Sequence, residues 1–237
     1  MTDAVDQQLI VRRVSLGTEL IDYRQGWELQ RQIHAAVCSN ELPPTIILLE
    51  HAEVFTAGKR TQPSDRPTDG SEVVEVDRGG RITWHGPGQL VCYPIVRLPQ
   101  PFDVVAHVRR LEEAAIRTCA DFGVDGHRID GRSGVWVTAD AQTPPPHVDK
   151  KIAAVGVRVA RGVTMHGLAI NVDCDLTWAQ RVVACGITDA SVTSLTAELQ
   201  QRTGNERQAS PSVRAAADRL EYHLREVLAP TLLDRSA

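Results

Sequence analysis

The sequence predicts a mixed α/β fold, with β-sheets flanked by helices in one domain over residues 1–237. Three observations support this fold class. Strand-like and helix-like segments alternate along the chain without a break in composition. Hydrophobic residues make up 42% of the chain and charged residues 24%, as in ordinary folded proteins. A length of 237 residues also lies within the range of a single α/β domain.

Three segments are predicted to be helical. Apolar residues recur at helical spacing over Gly26–Val37 and, more regularly, over Val104–Phe122, where Gly123 provides a stop. The last helix covers about residues 210–229. It begins with a serine cap and a proline at its first position, and it is expected to end before Pro230.

Strands are predicted at six places along the chain. They are Thr45–Glu50, Val73–Asp77, Gln89–Val96, Gly134–Thr138, Lys151–Val159 and Val163–Cys174. The first is a continuous apolar run, typical of a strand that is buried on both faces. The last two are expected to form a hairpin through Arg161 and Gly162. Proline and polar residues predict surface loops at Lys59–Gly70 and Ala139–Asp149.

Residues 78–94 give the strongest functional signal. Four glycines are interleaved there with two arginines, a tryptophan, a histidine and a glutamine. Glycine lets a backbone approach a bound molecule closely, and the neighbouring polar side chains can orient that molecule. The segment therefore predicts the wall of a ligand pocket. Of the eight histidines, His85 in this segment and His166 further on precede a glycine, and the other six are expected to be structural or solvated.

Composition and motifs exclude several functions. The net charge of −4 provides no basic field for nucleic acid. The chain has no apolar run near the ~20 residues of a membrane span. Its polar, acidic start is unlike a signal peptide, so a cytoplasmic location is expected. The sequence contains no spacing of metal ligands and no phosphate-binding, dinucleotide-binding or serine-nucleophile motif. Neither a metal nor a cofactor is therefore expected.

Four of the five cysteines are expected to be unreactive. An odd number without Cys-x-x-Cys spacing argues against a disulfide framework. Cys38, Cys92 and Cys119 have apolar neighbours and are expected to lie in the core. Cys174 lies between two aspartates, whose charges should raise the pKa of its thiol.

Cys185 and Lys151 are the candidates for covalent chemistry. Cys185 follows a helix-like stretch at Leu176–Ala184 and precedes a glycine, and such a boundary can leave amide N–H groups free to stabilise an oxyanion. Lys151 opens an apolar strand, so its ammonium group can face a cavity, although solvent exposure at the strand end is equally compatible. Lys150 points to the opposite face and is expected to be a surface charge.

Segments in three regions of the chain, in one order, resemble the lipoyl(octanoyl) transferases, which are related to the biotin and lipoate protein ligases. Residues 78–94 are similar to the signature of that family almost throughout. Lys151–Val157 resembles its lysine strand, and His166–Asn171 resembles the strand beside it. Ala184–Ile187 corresponds to the segment with the reactive cysteine, although the family more often has proline before that cysteine. The resemblance covers about residues 42–196.

The resemblance implies the fold of the biotin and lipoate protein ligase catalytic domain, together with a set of site residues. Cys185 would be the acyl-thioester nucleophile, and Lys151 would lower its pKa and act as general acid and base. Substrate-binding residues are expected in three segments. They are Arg78, Gly79, Gly80, Arg81, Ile82, Thr83, Trp84 and His85; Ala154, Val155 and Gly156; and Gly167, Leu168 and Ala169. Arg78 and His85 could orient the carbonyl group or the pantetheine arm of the donor.

The implied reaction moves an octanoyl group from acyl carrier protein to a lysine of a lipoyl-accepting domain. Such domains occur in 2-oxo acid dehydrogenases and in the glycine cleavage H protein. The cysteine would attack the donor thioester, and the acceptor amine would then attack the acyl-enzyme. Small side chains would leave an apolar slot, in which each buried methylene contributes ~0.8 kcal/mol. Because acyl carrier proteins are acidic, some arginines could form a docking patch.

Three alternatives stay open. An ATP-dependent lipoate or biotin ligase would share the fold but would activate a free acid as an adenylate, without a cysteine. Transfer of octanoyl between two lipoyl-domain proteins would use the same cysteine–lysine chemistry. A catalytically idle acyl-binding module would keep only the pocket. The presence of both Cys185 and Lys151 favours the transferase over the first and the third.

Overall fold

Two β-sheets and four α-helices make up the described part of a computed structural model, which covers residues 9–138, 148–177, 181–182, 190–205 and 210–233. The strands are β1 (Ile10–Arg13), β2 (Thr45–Leu49), β3 (Val54–Ala57), β4 (Val73–Glu75), β5 (Ile82–His85), β6 (Gln89–Ile95), β7 (His127–Ile129), β8 (Arg132–Val137), β9 (Asp149–Ala160), β10 (Val163–Asn171) and β11 (Ala190–Val192). The helices are α1 (Tyr23–Cys38), α2 (Val104–Asp121), α3 (Leu195–Thr203) and α4 (Val213–Leu233).

The larger sheet has the strand order β1-β2-β6-β10-β9-β8-β7, and β11 pairs with the first residues of β9. Most neighbours are antiparallel, but β1 runs parallel to β2 and β11 runs parallel to β9. A second sheet has the order β4-β3-β5 and contains residues 82–85 of the glycine-rich segment, whose end belongs to β6 of the larger sheet. These mixed sheets, flanked by helices, confirm the predicted fold class.

Helices cover both faces of the larger sheet. On one face, α2 and α4 pack against it through buried residues such as Leu111 and Leu220, which join Leu168 and Ile170 of β10 in the main core. On the other face, α1 contributes Ile33 and Val37 to a smaller core with strand residues of β2, β6 and β10. Alternate residues of the central strands therefore point into different cores, which fixes the direction of each side chain.

Local capping explains why two predicted helices form where they do. The side chain of Asp103 accepts a hydrogen bond from the amide of Ala106 at 2.8 Å, so α2 begins at Val104 as expected. Gly123, with a φ of +77°, follows its end. Helix α1 starts three residues earlier than predicted, because Asp22 caps it through the amide of Gln25.

Two departures from the sequence-based expectations have clear causes. The last helix does not stop before Pro230 but continues through it to Leu233, because Leu228 and Leu232 are buried and their packing carries the final turn. The pattern also failed to reveal five short strands and one helix. These are β1, β3, β5, β7, β11 and α3. Each of these strands has only three or four residues, too few for a clear alternation of polar and apolar side chains.

Candidate active site

A cavity of about 640 Å³ lies where the second sheet and the glycine-rich segment meet β6, β9 and β10 of the larger sheet. Its volume is typical of a site for a small organic ligand. The lining residues are Tyr23, Lys59, Arg60, Gln62, Arg78, Gly80, Arg81, Ile82, Thr83, His85, Val91, Tyr93, Gly131, Arg132, Ser133, Lys151, Ala154, Val155, Gly156, His166, Gly167, Leu168 and Ala169. The three segments that the sequence singled out, 78–85, 151–156 and 166–169, thus meet around one space.

Lys151 reaches this cavity because strand β9 contains a bulge. Val135 of β8 pairs with Ala153, but the next residue, Trp136, pairs with Lys151. Ile152 is therefore an extra residue, and it faces the main core together with Ala153. The bulge returns Lys151 to the face of Ala154, which lines the cavity.

The side chain of Lys151 is buried, with 6% of the residue exposed. Its ammonium nitrogen lies 4.5 Å from the centre of the Trp136 ring, a cation–π contact. The prediction that Lys151 faces a cavity is therefore supported by its position, and exposure at the strand end is excluded.

Lys150 projects to the other side, as predicted, but it is not a surface charge. Its ammonium group is 2.5 Å from a carboxylate oxygen of Glu198 on α3, and that carboxylate also accepts a hydrogen bond from Thr193. The side chain of Lys150 is only 17% exposed and that of Glu198 is 7% exposed. The pair anchors α3 to β9 and has no access to the cavity.

Arg78 holds the glycine-rich segment in shape. Its guanidinium group donates to the carbonyl oxygens of Gly79 and Arg81, at 3.0 and 2.7 Å. It also donates to the carbonyl and the hydroxyl of Thr56, at 2.8 and 2.9 Å. A planar donor with several N–H groups can satisfy such converging oxygens. Arg78 thus lines the cavity, but these N–H groups donate to the backbone and to Thr56.

Glycines let this segment lie against strand β9. The amide of Gly79 donates to the carbonyl of Val157 at 3.0 Å. A Cβ atom on Gly156 would be 3.2 Å from both Arg78 Cδ and the Gly79 carbonyl oxygen. The predicted close approach of the backbone is therefore real, although its partner here is another part of the chain.

Four aromatic side chains form a buried group at the base of the cavity. His51 hydrogen-bonds to the hydroxyl of Tyr93 at 2.7 Å, and the ring of Tyr23 stacks on His85 at a centroid distance of 5.9 Å. Burial lowers the pKa of His51 to about 4 and that of His85 to about 3. Burial also raises the pKa of Tyr23 to about 12. All four side chains are therefore uncharged near neutral pH.

His166 lines the cavity in an unusual backbone conformation, with a φ of +58°. Its Nε2 atom is 2.7 Å from a carboxylate oxygen of Asp77, which also contacts Arg158. Burial lowers the pKa of His166 and outweighs the opposing effect of Asp77. Hydrogen bonding to His166 lowers the pKa of Asp77. The neutral ring therefore donates from Nε2 to the carboxylate.

The cavity lining is rich in basic residues, two of which, Arg81 and Arg132, also pair with the carboxylates of Asp65 and Asp149. Six basic residues line it, namely Lys59, Arg60, Arg78, Arg81, Arg132 and Lys151, and the described lining includes no carboxylate. This contrasts with the net charge of −4 for the whole chain. The arrangement favours ligands that carry negative charge or oxygen acceptors, and it disfavours the charged form of an amine.

Most of the predicted substrate-binding residues line the cavity, and their binding role stays a prediction. Gly79 and Trp84 do not line it. Trp84 is buried in a cluster with Phe55, Ile82 and Cys174, and Gly86 packs so closely on its ring that a Cβ atom would be 2.1 Å from it. The pattern missed Tyr23, Lys59, Arg60, Gln62, Val91, Tyr93, Gly131, Arg132 and Ser133.

Several predictions fall on residues that the structure does not describe. Cys185 and the segment Ala184–Ile187 lie outside the described residues, as does most of Leu176–Ala184 and of the loop Ala139–Asp149. His147 lies there too. The nucleophile therefore stays a prediction from the sequence.

The four described cysteines are free thiols. Cys92 and Cys119 are fully buried as predicted, whereas Cys38 is half-buried at the edge of the smaller core. Burial is the main reason that the pKa of Cys174 rises to about 12, and the two flanking aspartates add less. Among the described residues, no cluster of histidine, cysteine and carboxylate side chains is arranged to hold a metal, and no helix is long and apolar enough to span a membrane.

Comparison with known proteins assigns this geometry to a family. Residues 22–217 match the lipoyl protein ligase A/B catalytic domain. The octanoyltransferase of Salinispora tropica is 57% identical over 199 residues, which is 84% of this chain and 89% of that protein. The octanoyltransferase of Thermobifida fusca is 53% identical and covers 94% of this chain and 91% of its own length.

Solved structures agree with this assignment at the level of the fold. The bipartite lipoate protein ligase of Thermoplasma acidophilum superposes with a TM-score of 0.60 at 14% identity, covering 94% of this chain and 83% of the other. The chain therefore belongs to the family of the lipoyl protein ligase A/B catalytic domain and, within it, to the octanoyltransferases, which are acyltransferases.

Proposed function

We propose that this protein transfers an octanoyl group from acyl carrier protein to a lysine of lipoyl domains, through a thioester on Cys185. The observation that carries the proposal is the buried Lys151 side chain, which opens into a cavity whose β9 and β10 walls consist largely of small residues. Ala154, Gly156, Gly167 and Ala169 leave room there for an alkyl chain. The similarity to octanoyltransferases identifies the acyl group.

In the first half-reaction, the thiolate of Cys185 attacks the carbonyl carbon of the donor thioester. The ammonium group of Lys151 stabilises that thiolate and holds the proton that the thiol has given up. The bond between the carbonyl carbon and the carrier sulfur breaks, and the carrier thiolate takes this proton. One thioester replaces another, so the step is close to balanced in energy.

In the second half-reaction, the neutral amine of the acceptor lysine attacks the acyl-enzyme. A C–N bond forms and the bond to Cys185 breaks. The proton that the amine loses passes through Lys151 to the cysteine sulfur, which restores the free thiol. Because an amide is more stable than a thioester, this step drives the transfer forward.

Charge on the cavity is consistent with the proposed partners. Lys59 and Arg60 are exposed beside the cavity, and Arg81 and Arg132 are partly exposed. An acidic carrier protein would be attracted to such a rim. The proposed acceptors are the lipoyl domains of 2-oxo acid dehydrogenases and the glycine cleavage H protein. The reaction would take place in the cytoplasm, where carrier protein and acceptors meet.

The test uses the purified protein with octanoyl carrier protein and no ATP, with intact mass as the readout. An octanoyl adduct that hydroxylamine removes is expected. Cys185→Ser should abolish this adduct, and Lys151→Met should slow its formation by at least about a hundredfold. Lys150→Met is the matched control, since its side chain lies on the other side of the sheet. Absence of the adduct in the unaltered protein would rule the proposal out.

An ATP-dependent ligase is the second candidate, and the cationic lining favours it, because six basic residues could also hold phosphate groups. The same experiment separates the two functions. A ligase would modify its acceptor only with ATP and free octanoate, and it would not need Cys185.

A further inference from the structure

The orientation of the His85 ring is fixed by a chain of hydrogen bonds that ends at the strand of Lys151. The Nδ1 atom of His85 is 2.7 Å from the side-chain oxygen of Gln89. The amide nitrogen of Gln89 is 2.9 Å from the side-chain oxygen of Asn171. The amide nitrogen of Asn171 is 2.8 Å from the carbonyl oxygen of Thr193. Finally, the backbone amide of Thr193 donates to the carbonyl of Lys151 at 3.0 Å.

This chain allows only one assignment of protons. The Thr193 carbonyl can only accept, so Asn171 must present its NH₂ group to it and its oxygen to Gln89. Gln89 must then present its own NH₂ group to Asn171 and its oxygen to His85. Nδ1 of His85 must therefore carry the hydrogen. In the neutral ring, Nε2 is left with a lone pair and no hydrogen.

Nε2 of His85 has no hydrogen-bond partner among the described residues, and the ring lines the cavity. Burial keeps the ring neutral, since it lowers the pKa of His85 to about 3. The nearby charged and titratable groups on neighbouring elements are His51, Arg78 and His166, and each disfavours the imidazolium form. Such a ring cannot donate from Nε2 to a carbonyl oxygen. It can only accept.

We propose that Nε2 of His85 accepts a hydrogen bond from the attacking amine of the acceptor lysine in the second half-reaction. The inference rests on the proposed function. A primary amine that attacks a carbonyl directs its lone pair at the carbon atom. Its two N–H bonds therefore point away from that atom. One proton leaves through Lys151, and the other N–H needs an acceptor inside a cavity whose described lining has six basic residues and no carboxylate.

The positions of the residues fit this division of roles. Asn171 lies directly opposite Gln89, and Ala169 lies opposite Ala154, the residue that follows Lys151 on the cavity face of β9. Gln89, Asn171 and Lys151 therefore lie on three neighbouring strands, β6, β10 and β9. At about 4.8 Å per strand, roughly 10 Å separates the backbones of the first and the third. His85 and Lys151 thus line one cavity from different strands.

The experiment measures the two half-reactions separately. Octanoyl-enzyme formation is followed by mass after mixing with octanoyl-pantetheine, and the isolated octanoyl-enzyme is then mixed with a lipoyl domain. His85→Asn can keep the bond to Gln89 but lacks an acceptor at the position of Nε2. Thioester formation should change by less than about threefold, whereas attack by the amine should fall between roughly tenfold and a hundredfold. His85→Gln can place an oxygen near that position and should recover part of the second rate.

The alternatives give different results. Equal losses in both half-reactions, or no advantage of Gln over Asn, would mean a structural role and would overturn the inference. A loss confined to the first half-reaction would assign Nε2 to an amide of the pantetheine arm instead, which also overturns it. Failure of the unaltered protein to form any octanoyl-enzyme would refute the proposed function itself, a separate outcome.

Nitrogen NMR of the His85 ring provides an independent measurement. It should show hydrogen on Nδ1 between pH 6 and 8, and hydrogen on Nε2 would contradict the inference.

Discussion

Gly134 and Lys151 face each other so closely on neighbouring strands that a Cβ atom at position 134 would lie 3.3 Å from Cε of Lys151. The same atom would lie 2.4 Å from the carbonyl oxygen of Ala153. Gly134 also has a φ of +104°, which other residues rarely adopt. Its amide is held by the fully buried carboxylate of Glu112 at 2.8 Å. The side chain of Lys151 thus has room because residue 134, on the neighbouring strand, is a glycine without a Cβ atom.

Replacing Gly134 with alanine should harm both stability and activity. The strained φ and the clash with a backbone carbonyl should cost about 2 kcal/mol or more of unfolding free energy. Octanoyl-enzyme formation should slow as well, because the methyl group crowds Lys151. Urea unfolding and intact mass measure the two effects. Gly123→Ala is the matched control: its φ is +77°, but a Cβ atom there meets nothing within 4 Å. Equal effects of the two substitutions would contradict the role assigned to the clash.

Stability should fall as the pH drops from about 6.5 towards 4. Burial lowers the pKa of His51 and of His107 to about 4 and that of His85 to about 3. The folded protein therefore resists protonation that the unfolded chain accepts below its usual histidine pKa of about 6.5. The stability from these neutral rings is fully present above that value. It is lost as the pH falls through the window, on the order of 3 kcal/mol for each ring with a pKa near 4.

The free energy of unfolding in urea at pH 7.5, 6.0 and 5.0 tests this pH dependence. His107→Leu removes one buried ring and should make the decline shallower, while His127→Asn changes an exposed histidine and should leave it unaltered. Carboxylates with lowered pKa values, such as Asp77 and Asp121, act mainly below pH 4. A flat profile between pH 7.5 and 5.0 would refute the prediction.

Arg78→Lys should loosen the glycine-rich segment even though it keeps the positive charge. A lysine cannot reproduce the planar donor that contacts two backbone carbonyls and Thr56. Buried carbonyls left without donors should cost about 1–3 kcal/mol. Formation of the octanoyl-enzyme should slow because Gly79 and Gly80 move. Arg66→Lys is the control. Arg66 pairs with Glu75, and their side chains are 39% and 67% exposed, so this substitution should change stability by less than about 1 kcal/mol. Similar losses for both variants would argue against the clamp.

Lys150→Met should destabilise the protein without removing its chemistry. The substitution leaves the buried carboxylate of Glu198 with the hydrogen bond from Thr193 but without its cation, and this loss should cost about 2 kcal/mol or more. The double variant Lys150→Met/Glu198→Gln removes both charges and should be more stable than the single variant. Rates of octanoyl-enzyme formation, measured where each variant is folded, should stay near those of the unaltered protein. A loss of that rate as large as for Lys151→Met would contradict the assignment.

Sequence patterns predicted the segments around the cavity better than they predicted the strands that support it. Glycine next to polar residues identified the segments around Arg78 and His166, because a pocket wall must combine room with orienting groups, and Lys151 was identified as a lysine that opens an apolar strand. The helix over Val104–Asp121 was also clear, since eighteen residues give several repeats of the apolar stripe. Short strands such as β5 and β11 were missed because pairing with distant strands, rather than local pattern, makes them extended.

The missed cavity residues share a physical reason. Tyr23, Val91 and Tyr93 sit in elements whose pattern also fits a packed core, and only the tertiary arrangement shows that one side faces a cavity. Lys59 and Arg60 begin a loop that looked solvated. Gly131 and Ser133 lie at a turn where a signal did exist, since glycines at 131 and 134 flank polar residues at the start of a strand. Alternation predicted that the two neighbouring lysines diverge, but it gave no hint of the bulge.

The bulge at Ile152 changes the face of the sheet to which the preceding residues of β9 point. In a regular strand, Ile152 and Lys150 would share the face of Ala154, and Ala153 and Lys151 would point to the opposite face. Lys150 rather than Lys151 would then lie on the cavity face. The bulge thus decides which of the two lysines reaches the cavity, as much as the residue at position 151 does. A pocket of this kind built on an unbroken strand would need its lysine one place earlier, and tandem lysines in relatives are best assigned by locating the bulge first.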